Sequence, residues 1–340
     1  CGTGSFAQES TCLSEKFLRA GSASNPRGAI AAVCTATGNT HTMFNNIIAM
    51  GIYDGLFPKN LGTAGAALAN GKLTLFSAYP TNPYHWVDAF TQWNSLMGDP
   101  ATHLWTDTPT VLSVIHPLVL PYGTNFVDIA VYDEDENPVE DAMVTLLMGD
   151  DIIFTSGYTD EEGSLTMDLD YVSNGNISIT VTKQNCKPYE STITVHSDGA
   201  IVNLDHELDV QIYDDDDGIV NPSELFGLSI PIKNYGTETV SGIEATLETT
   251  SEFVSISNAS VVYGSISPGQ SEFGDDFSLT LSESAMNRED LKLRLTIVDN
   301  FNNEWNAIVP IVVSGSHLVI EDLLIQGGEI NPGETKDISI

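Results

Sequence analysis

The sequence predicts a multidomain protein in which a partial α/β domain precedes all-β sandwiches. Three observations support this prediction. Helical and strand-like patterns alternate up to Thr108, short alternating strands separated by acidic or glycine turns follow, and one motif recurs near the end of the chain. At 340 residues the chain is long enough for two or three domains that each bury a core.

The α/β segment is predicted at residues 1–108. Leu13 and Phe17, with Leu18, suit one apolar face of a short helix that stops at Gly21, and Ala29–Cys34 suits a buried strand in which Cys34 is a small core residue. Alternating helices and strands of this kind predict a mainly parallel sheet covered on both faces. Two longer helix candidates follow, at 44–58 and 64–76.

The sequence after Thr108 predicts immunoglobulin-like β-modules. Phe126–Tyr132 alternates between apolar and polar residues, and Asp133–Asn137 provides an acidic turn, as expected of strands in a sandwich. The segment from Asp133 to Ala142 also resembles a widespread bacterial immunoglobulin-like module. The predicted modules are a first sandwich at 109–198, a second at 199–314 and the start of a truncated third at 315–340.

The third module is predicted from a repeat. Gly218–Glu224 returns as Gly328–Glu334, with Asn-Pro-x-Glu in both copies, as expected of a repeat array. The chain begins at Cys1 rather than methionine and stops within a strand-like pattern, so we expect a fragment. It contains neither an apolar run of membrane-spanning length nor a signal-peptide pattern.

Charge divides the chain sharply. The net charge is −35, yet residues 1–110 hold six acids against five bases, so the β-modules carry nearly all of the excess. Such a surface repels phosphate backbones and disfavours nucleic-acid binding, and it suits an extracellular or calcium-rich setting. The alternative is that acidic turns keep the modules soluble and blunt their sheet edges.

The opening residues carry the candidate chemistry. Cys1 is followed by Gly2 and Gly4, and glycines would let backbone N–H groups approach a developing oxyanion beside a reactive thiol. Two alternatives remain open for this motif alone. It is an arbitrary fragment edge, or it is the lipidated cysteine of a lipoprotein.

Four segments in order resemble the gingipain family of cysteine peptidases: Cys1-Gly2-x-Gly4-x-Phe6, then Cys12 to Ala20, then Pro26 to Ala32, and finally Trp93 to Pro100. The resemblance covers roughly the first hundred residues. It implies a caspase-like α/β fold in which Cys1 is the nucleophile, with its own amide and the backbone near Gly2 at the oxyanion hole, and it implies no cofactor.

The general base implied by the resemblance lies upstream of the nucleophile, in a histidine followed by glycine. The seven histidines of this chain all follow Cys1, and none precedes a glycine. A thiol with its ordinary pKa of about 8.5 is mostly protonated at neutral pH. We therefore expect no peptidase activity from this chain alone.

The substrate pocket implied by the resemblance includes the loop at Thr40 and His41. His41 stands where arginine- and lysine-specific members carry a tryptophan, so specificity for basic residues is in doubt. His41 could equally be an ordinary polar loop residue. Tyr84 and Trp86 are further candidates for a substrate cleft, or they pack in the interior.

A calcium site is predicted in the second sandwich. With Gly218 at the sixth place of a twelve-residue calcium loop, the ligand places fall to Asp215, Asp217, Asn221 and Glu224. Tyr213 does not suit the first place, and the second copy lacks the aspartates. A shared structural turn therefore explains the common Asn-Pro-x-Glu.

The leading hypothesis is a fragment of a secreted bacterial cysteine endopeptidase that acts on protein or peptide substrates through Cys1 and a histidine absent from this chain. The resemblance implies an extracellular or cell-surface location, reached by the type IX secretion route and its export machinery. The alternatives are a surface adhesion or scaffold protein with a degenerate peptidase domain, and a lipoprotein anchored at Cys1.

Overall fold

The computed structural model describes residues 2–7, 10–22, 24–38, 40–149, 153–169, 174–214, 219–287, 290–314, 324–325 and 338–339. The fold class predicted from the sequence, a partial α/β domain followed by β-sandwiches, is confirmed. The helices of the α/β part are α1 Leu13–Leu18, α2 Thr42–Leu56, α3 Ala64–Ala78 and α4 Trp86–Trp93, with a 3₁₀ turn at Pro83–His85. Its strands are β1 Gly21–Ser22, β2 Asn25–Pro26, β3 Ala32–Thr35 and β4 Asn94–Met97.

Helices α2 and α3 form the centre of the α/β part. His41 caps α2 by accepting a hydrogen bond from the Met43 N–H, and Thr63 caps α3 by accepting one from Ala66. The two helices approach closely at a pair of glycines, because a Cβ on Gly51 would lie 2.7 Å from the Cα of Gly71. The small residues of α3 therefore serve close helix packing.

The prediction of a mainly parallel, covered sheet is wrong for the described residues. β3 pairs with β4, and the pairing is antiparallel. The strand is also less buried than predicted: Ile30 is 65% exposed, and Cys34 is half-buried. The physical reason is that β3 has a neighbouring strand on one side only among the described residues.

The predicted apolar face of α1 is likewise wrong. Leu13 and Phe17 are 47% and 49% exposed, whereas Cys12 and Ser14 are buried. The buried side of α1 therefore carries the Ser14 hydroxyl, which contacts the loop after Cys1, and the thiol of its N-cap Cys12, whereas Leu13 and Phe17 face outward.

The first sandwich has a core of aliphatic side chains between two sheets. One sheet has the order β10-β9-β12-β14-β7, with β14 and β7 parallel, and the other has the order β11-β8-β6. Alternating residues of each strand face this core, which explains the period-2 pattern of the sequence. The strands are β5 Thr110–Val111, β6 Ser113–Ile115, β7 Val119–Pro121, β8 Phe126–Tyr132, β9 Met143–Met148, β10 Ile153–Tyr158, β11 Ser164–Asp168, β12 Gly175–Thr182, β13 Cys186–Lys187 and β14 Tyr189–His196.

The second sandwich packs a four-stranded sheet, β21-β19-β24-β25, against strands of the sheets β16-β17-β23-β20 and β15-β18-β22 around a larger apolar core. Its strands are β15 Val202–Leu204, β16 Gln211–Tyr213, β17 Leu225–Ser229, β18 Pro231–Asn234, β19 Val240–Glu248, β20 Val254–Asn258, β21 Ser260–Ile266, β22 Ser271–Phe273, β23 Phe277–Leu281, β24 Asp290–Val298 and β25 Glu304–Val312.

Of the predicted third module, the structure describes only two short strands. β26, Leu324–Ile325, pairs antiparallel with β27, Ile338–Ser339. The second copy of the repeat, Gly328–Glu334, lies outside the described residues. Among the described residues, no helix has the length and apolar character needed to cross a membrane.

One turn design occurs in both sandwiches. The carboxylate of Asp133 accepts hydrogen bonds from the N–H and the side-chain amide of Asn137, and these bonds lower the pKa of Asp133. Asp299 and Asn303 repeat the arrangement between β24 and β25. Burial alone would raise the pKa of Asp299, but the bonds from Asn303 outweigh it and lower the pKa. Some of the acidic turn residues therefore hold hairpins together.

The two sandwiches contact each other through specific polar pairs. The side chain of Asn125 donates to the Ile308 carbonyl at 2.6 Å and accepts from the Ile308 N–H at 3.0 Å. Arg294 pairs with Asp128 at 3.0 Å and lies over the ring of Phe126, 4.8 Å from its centroid. A second ion pair joins Lys292 to Asp168 at 2.6 Å. The orientation of one sandwich on the other is thus specified by hydrogen bonds and charge.

Gly123 lies at a close approach between the sandwiches. Its φ is +88°, and a Cβ there would lie 2.6 Å from the ring of Tyr235. The neighbouring Tyr122 meets the same ring edge-on at 5.3 Å. Gly199 is a matched comparison, since its φ is +86° and no atom lies within 4 Å of its Cβ position.

We predict that Gly123→Ala destabilises the chain more than Gly199→Ala does. Both variants pay about 1–2 kcal/mol for a left-handed alanine, but only Gly123→Ala also meets the Tyr235 ring, at a further cost of about 1–3 kcal/mol. Chemical unfolding of the two variants measures the difference. Equal destabilisation would mean that the junction yields without cost and that the two sandwiches do not depend on this contact.

Candidate active site

The segment after the predicted nucleophile is held against the end of β3. The Gly2 N–H donates to the Thr37 carbonyl at 2.7 Å, and the Gly4 N–H donates to the Thr35 carbonyl at 3.0 Å. The Ser5 hydroxyl donates to the carbonyl of Ala36 at 2.8 Å. Cys1 itself lies outside the described residues. The backbone that positions it is therefore fixed by strand-like hydrogen bonds to β3 and the loop that follows.

Glycine is required at position 4 by close packing. A Cβ on Gly4 would lie 2.9 Å from the Cβ of Cys34 and 3.1 Å from the Cys34 carbonyl carbon. Contacts with backbone atoms at this distance are relieved only by moving the loop away from β3. The second glycine of the opening motif thus serves the approach of the loop to the strand.

Helix α1 holds the same loop from its other side. Both the N–H and the hydroxyl of Ser14 donate to the Thr3 carbonyl, at 3.0 and 3.1 Å. The Cys12 N–H donates to the Glu15 carboxylate at 2.7 Å, and this bond lowers the pKa of Glu15. Cys12 therefore begins the helix, and its buried thiol lies 3.2 Å from the Ser14 hydroxyl.

Gly2 differs from its predicted role in one respect. Its N–H donates to Thr37, so in this conformation this N–H is not free to stabilise an oxyanion. With φ at +73° the residue also needs the conformational freedom of glycine. Gly2 turns the chain beside the nucleophile, and its place near the oxyanion hole stays a prediction.

His41 and Thr40, the predicted pocket residues, lie at the start of α2. The Nδ1 atom of His41 accepts from the Met43 N–H at 3.2 Å, so the histidine acts as a helix cap. The Thr40 hydroxyl accepts from the Asn45 side chain at 3.2 Å. Both follow the loop that holds Gly2, but their contact with substrate stays a prediction.

An aromatic cluster begins beside His41. Phe44 is buried, with its ring centroid 5.8 Å from His41, 6.4 Å from Trp86 and 4.9 Å from Phe90. The carbonyl of Trp93 accepts from the Ala36 N–H at 2.7 Å, next to the partners of the nucleophile loop. The sequence analysis did not predict this cluster. It lies next to the loop that holds Gly2.

Tyr84 and Trp86 differ in exposure. Tyr84 is 89% exposed, in a turn where Asn82, Tyr84 and His85 all have positive φ. Trp86 is 37% exposed at the edge of the aromatic cluster. Packing in the interior therefore does not describe Tyr84. Three left-handed residues in four store strain of the kind found at functional sites.

The predicted calcium ligands are only partly described. Asp215 and Asp217 lie outside the described residues. The Asn221 N–H donates to the Glu224 carboxylate at 2.7 Å, and the Glu224 N–H donates to the Asn221 carbonyl at 3.2 Å. This reciprocal pair shows that Asn-Pro-x-Glu forms a structural turn in the first copy of the repeat. Within the described part of the chain, no group of three or more histidine, cysteine or acidic side chains is arranged to hold a metal.

Comparison with known proteins finds a family similarity in the first part of the chain. The sequence model of peptidase family C25 matches residues 1–105. No curated protein matches the chain in sequence.

Solved structures with weak similarity include two gingipain entities. One is the arginine-specific cysteine proteinase gingipain R, with 19% identity, a TM-score of 0.48 and coverage of 58% of this chain and 44% of that one. The other is the complex of the pro- and mature domains of RgpB from Porphyromonas gingivalis, with 20% identity, a TM-score of 0.47 and coverage of 58% and 45%. The chain thus spans less than half the length of these structures.

We predict that Gly4→Ala loosens the nucleophile loop, whereas Gly38→Ala does not. The alanine at position 4 would meet Cys34 at 2.9 Å, whereas a Cβ on Gly38 has no atom within 4 Å. Overpacking of this kind costs about 1–3 kcal/mol. Hydrogen–deuterium exchange of residues 2–38 measures the effect, with faster exchange expected in Gly4→Ala alone. Unchanged exchange in both variants would show that close packing does not hold the loop on β3.

Proposed function

Because the sequence model of peptidase family C25 matches residues 1–105, we propose that this chain supplies the nucleophile of a cysteine endopeptidase that acts on proteins or peptides. The observation that carries the proposal is the family match, which begins at Cys1 and includes the residues that clamp Gly2 and Gly4 to β3. The whole protein is longer than this chain in the proposal.

Peptide hydrolysis by this route takes two steps. The Cys1 thiolate attacks the scissile carbonyl carbon, and the tetrahedral intermediate collapses as the peptide C–N bond breaks, leaving a thioester on Cys1. A histidine that accepted the thiol proton gives it to the departing amine. Water then attacks the thioester, again with the histidine as base, which releases the acid product and restores the thiol.

The histidine of this mechanism belongs to a part of the protein that precedes Cys1. Every histidine of the present chain follows Cys1, and none is followed by glycine as in the family pattern. Without a basic partner the thiol stays mostly protonated at neutral pH, since its ordinary pKa is about 8.5. This chain alone is therefore inactive in the proposal.

Substrate recognition in the proposal uses the surface around α2. Thr40 and His41 follow the loop that binds Gly2. Phe44 contacts both His41 and Trp86, and the exposed Tyr84 precedes Trp86 by two residues. Aromatic and imidazole side chains at this place would contact the apolar part of a substrate side chain.

The setting of the proposed enzyme is extracellular or at the bacterial cell surface, reached by the type IX route. The strongly acidic β-modules suit that setting, and they serve as spacers or binding appendages of the peptidase. No cofactor is needed for the chemistry.

The decisive test replaces Cys1 in the polypeptide encoded by the whole gene. We expect Cys1→Ala to lower the rate of cleavage of a fluorescent casein substrate by about a thousandfold or more, because the nucleophile is lost. Cys34→Ala is the matched control, since its thiol is half-buried in β3, and we expect near-normal activity. The isolated 340-residue chain should give no turnover.

Other outcomes identify the alternatives. A whole-gene product that folds but cleaves nothing would support a surface adhesion or scaffold protein with a degenerate peptidase domain. Mass spectrometry that finds a lipid on Cys1 would support a lipoprotein. Cys1-dependent turnover by the isolated chain would disprove the upstream base.

We also propose that calcium binds the loop that contains Asp215, Asp217, Asn221 and Glu224, because these residue types fall at the ligand spacing of a calcium loop. Calcium at about 1 mM should raise the unfolding temperature of the chain. The rise should vanish in the double variant Asp215→Asn/Asp217→Asn, and Asp209→Asn is a control outside the loop. No calcium-dependent rise in the unmodified chain would remove the proposal.

A further inference from the structure

A cavity of about 660 Å³ lies where the segment after β4 meets the first sandwich. His103 and Trp105 line it from that segment, and Asp141, Tyr158 and Lys183 line it from the sandwich. Its volume falls within the range of small-ligand sites, which often occur between domains. No part of the proposed peptidase chemistry uses these residues.

The walls of the cavity are held in place by hydrogen bonds on both sides of Trp105. The Leu104 N–H donates to the Gly62 carbonyl at 2.8 Å. The Thr106 N–H donates to the Asn185 side chain at 2.7 Å. The Thr110 N–H then donates to the Asn185 carbonyl at 3.0 Å. The segment is therefore bound to α/β residues and to the sandwich, and Trp105 is presented from a fixed backbone.

Two large aromatic side chains of the cavity face solvent. Trp105 is 52% exposed and Tyr158 is 62% exposed. Among the described residues, neither ring makes a ring-to-ring contact. Exposed, flat apolar surfaces at the mouth of a cavity are suited to stack against an apolar face of a ligand.

Hydrogen-bonding groups of the cavity are also unused. The side chain of Asp141 makes neither a hydrogen bond nor an ion pair with any described residue, while the Asp141 backbone is held at a φ of +53°. The Gln184 Nε2 atom is buried without a partner among the described residues. The ammonium group of Lys183 has three N–H donors, and one of them donates to the Glu140 carbonyl at 2.6 Å. The cavity thus offers an acceptor and donors of both charged and neutral types.

The charges of the side chains that line the cavity indicate whether an ionic or a neutral ligand fits it. Asp141 and Lys183 are the charged lining residues, and they cancel, in a chain whose net charge is −35. An ionic ligand would leave one of these two groups opposed to a like charge. A neutral ligand with an apolar face and several hydroxyl groups satisfies all the groups together, because its face covers the rings and its rim reaches the carboxylate, ammonium and amide.

A pyranose ring has this chemistry, with C–H groups on its face and hydroxyls around its rim. We propose that the cavity is a binding site for a neutral sugar unit of an oligosaccharide, with Trp105 and Tyr158 as its stacking platform. The proposed site lets a β-module hold a glycan beside the α/β domain, and it stands whether or not Cys1 is a nucleophile.

The test is isothermal titration calorimetry of the 340-residue chain with four neutral oligosaccharides. They are maltohexaose, cellohexaose, mannohexaose and chitohexaose. At least one should bind with a Kd below about 10 mM. Trp105→Ala and Tyr158→Ala should each weaken that binding about tenfold, as expected for the loss of an aromatic contact.

Phe154→Ala is the matched control, since Phe154 shares β10 with Tyr158, is 69% exposed and does not line the cavity. Circular dichroism and the unfolding temperature establish that each variant is folded. Asp141→Asn keeps the shape of the side chain and should weaken binding less than the loss of either ring.

Four results overturn the proposal, and the first three concern the oligosaccharides. These three are no binding by any of the four oligosaccharides, equal loss of affinity in Phe154→Ala and Tyr158→Ala, and preferred binding of a charged glycan such as a heparin hexasaccharide. A second titration uses a glycoprotein that carries the sugar that binds. Binding of both the free sugar and the glycoprotein would identify the glycan itself as the ligand. Binding of the glycoprotein alone would mean that protein contacts carry the affinity, and it would also overturn the proposal.

Discussion

The antiparallel pairing of β3 with β4 is the interaction on which the α/β part depends. It joins Ala32–Thr35 to Asn94–Met97, residues some sixty positions apart, and so closes the chain around α2, α3 and α4. The carbonyl of Thr35, at the end of β3, then accepts from the N–H of Gly4, and the carbonyl of Thr37, in the loop that follows, accepts from the N–H of Gly2. The position of the segment after Cys1 therefore depends on the position of β3, together with the bonds from Ser14 to the Thr3 carbonyl.

The same pair connects the candidate site to the rest of the molecule. β4 continues into the segment that carries Trp105 and is bonded to Asn185 of the first sandwich. That sandwich is joined in turn to the second through Asn125, Asp128 and Asp168. The chain has only 12 lysines and arginines against 47 acids. Two of these bases, Lys292 and Arg294, form ion pairs between the two sandwiches. Their pairing offsets part of the repulsion between two acidic domains.

Local pattern was enough to predict most elements. The two long helices were predicted near their observed positions, because the apolar residues of the first recur at helical spacing and the second is rich in small residues. The structure adds their caps, His41 and Thr63. The strands of the sandwiches follow from period-2 alternation, since each has one face on a core. The burial of β3 and α1 was predicted wrongly. An apolar run indicates the capacity to be buried, whereas actual burial depends on which other elements cover it, as Ile30 and Phe17 demonstrate.

Contacts between distant residues were beyond local pattern. The pairing of Asn125 with Ile308, for example, joins residues 183 positions apart in two different sandwiches. The aromatic cluster around Phe44 draws on α2, Tyr79 and α4. The cavity at Trp105 brings together residues about eighty positions apart.

By itself the sequence determined the division into an α/β part and β-modules, the acidity of the latter, and the motif at Cys1 with its family resemblance, because composition, periodicity and short motifs are local properties of a chain. Only the tertiary structure decided that β3 and β4 are antiparallel, that the Gly2 N–H is already bonded, and that Trp105 faces a cavity. Each of these depends on the pairing of groups far apart in the sequence, and the geometry of such pairs is set by packing of the whole domain.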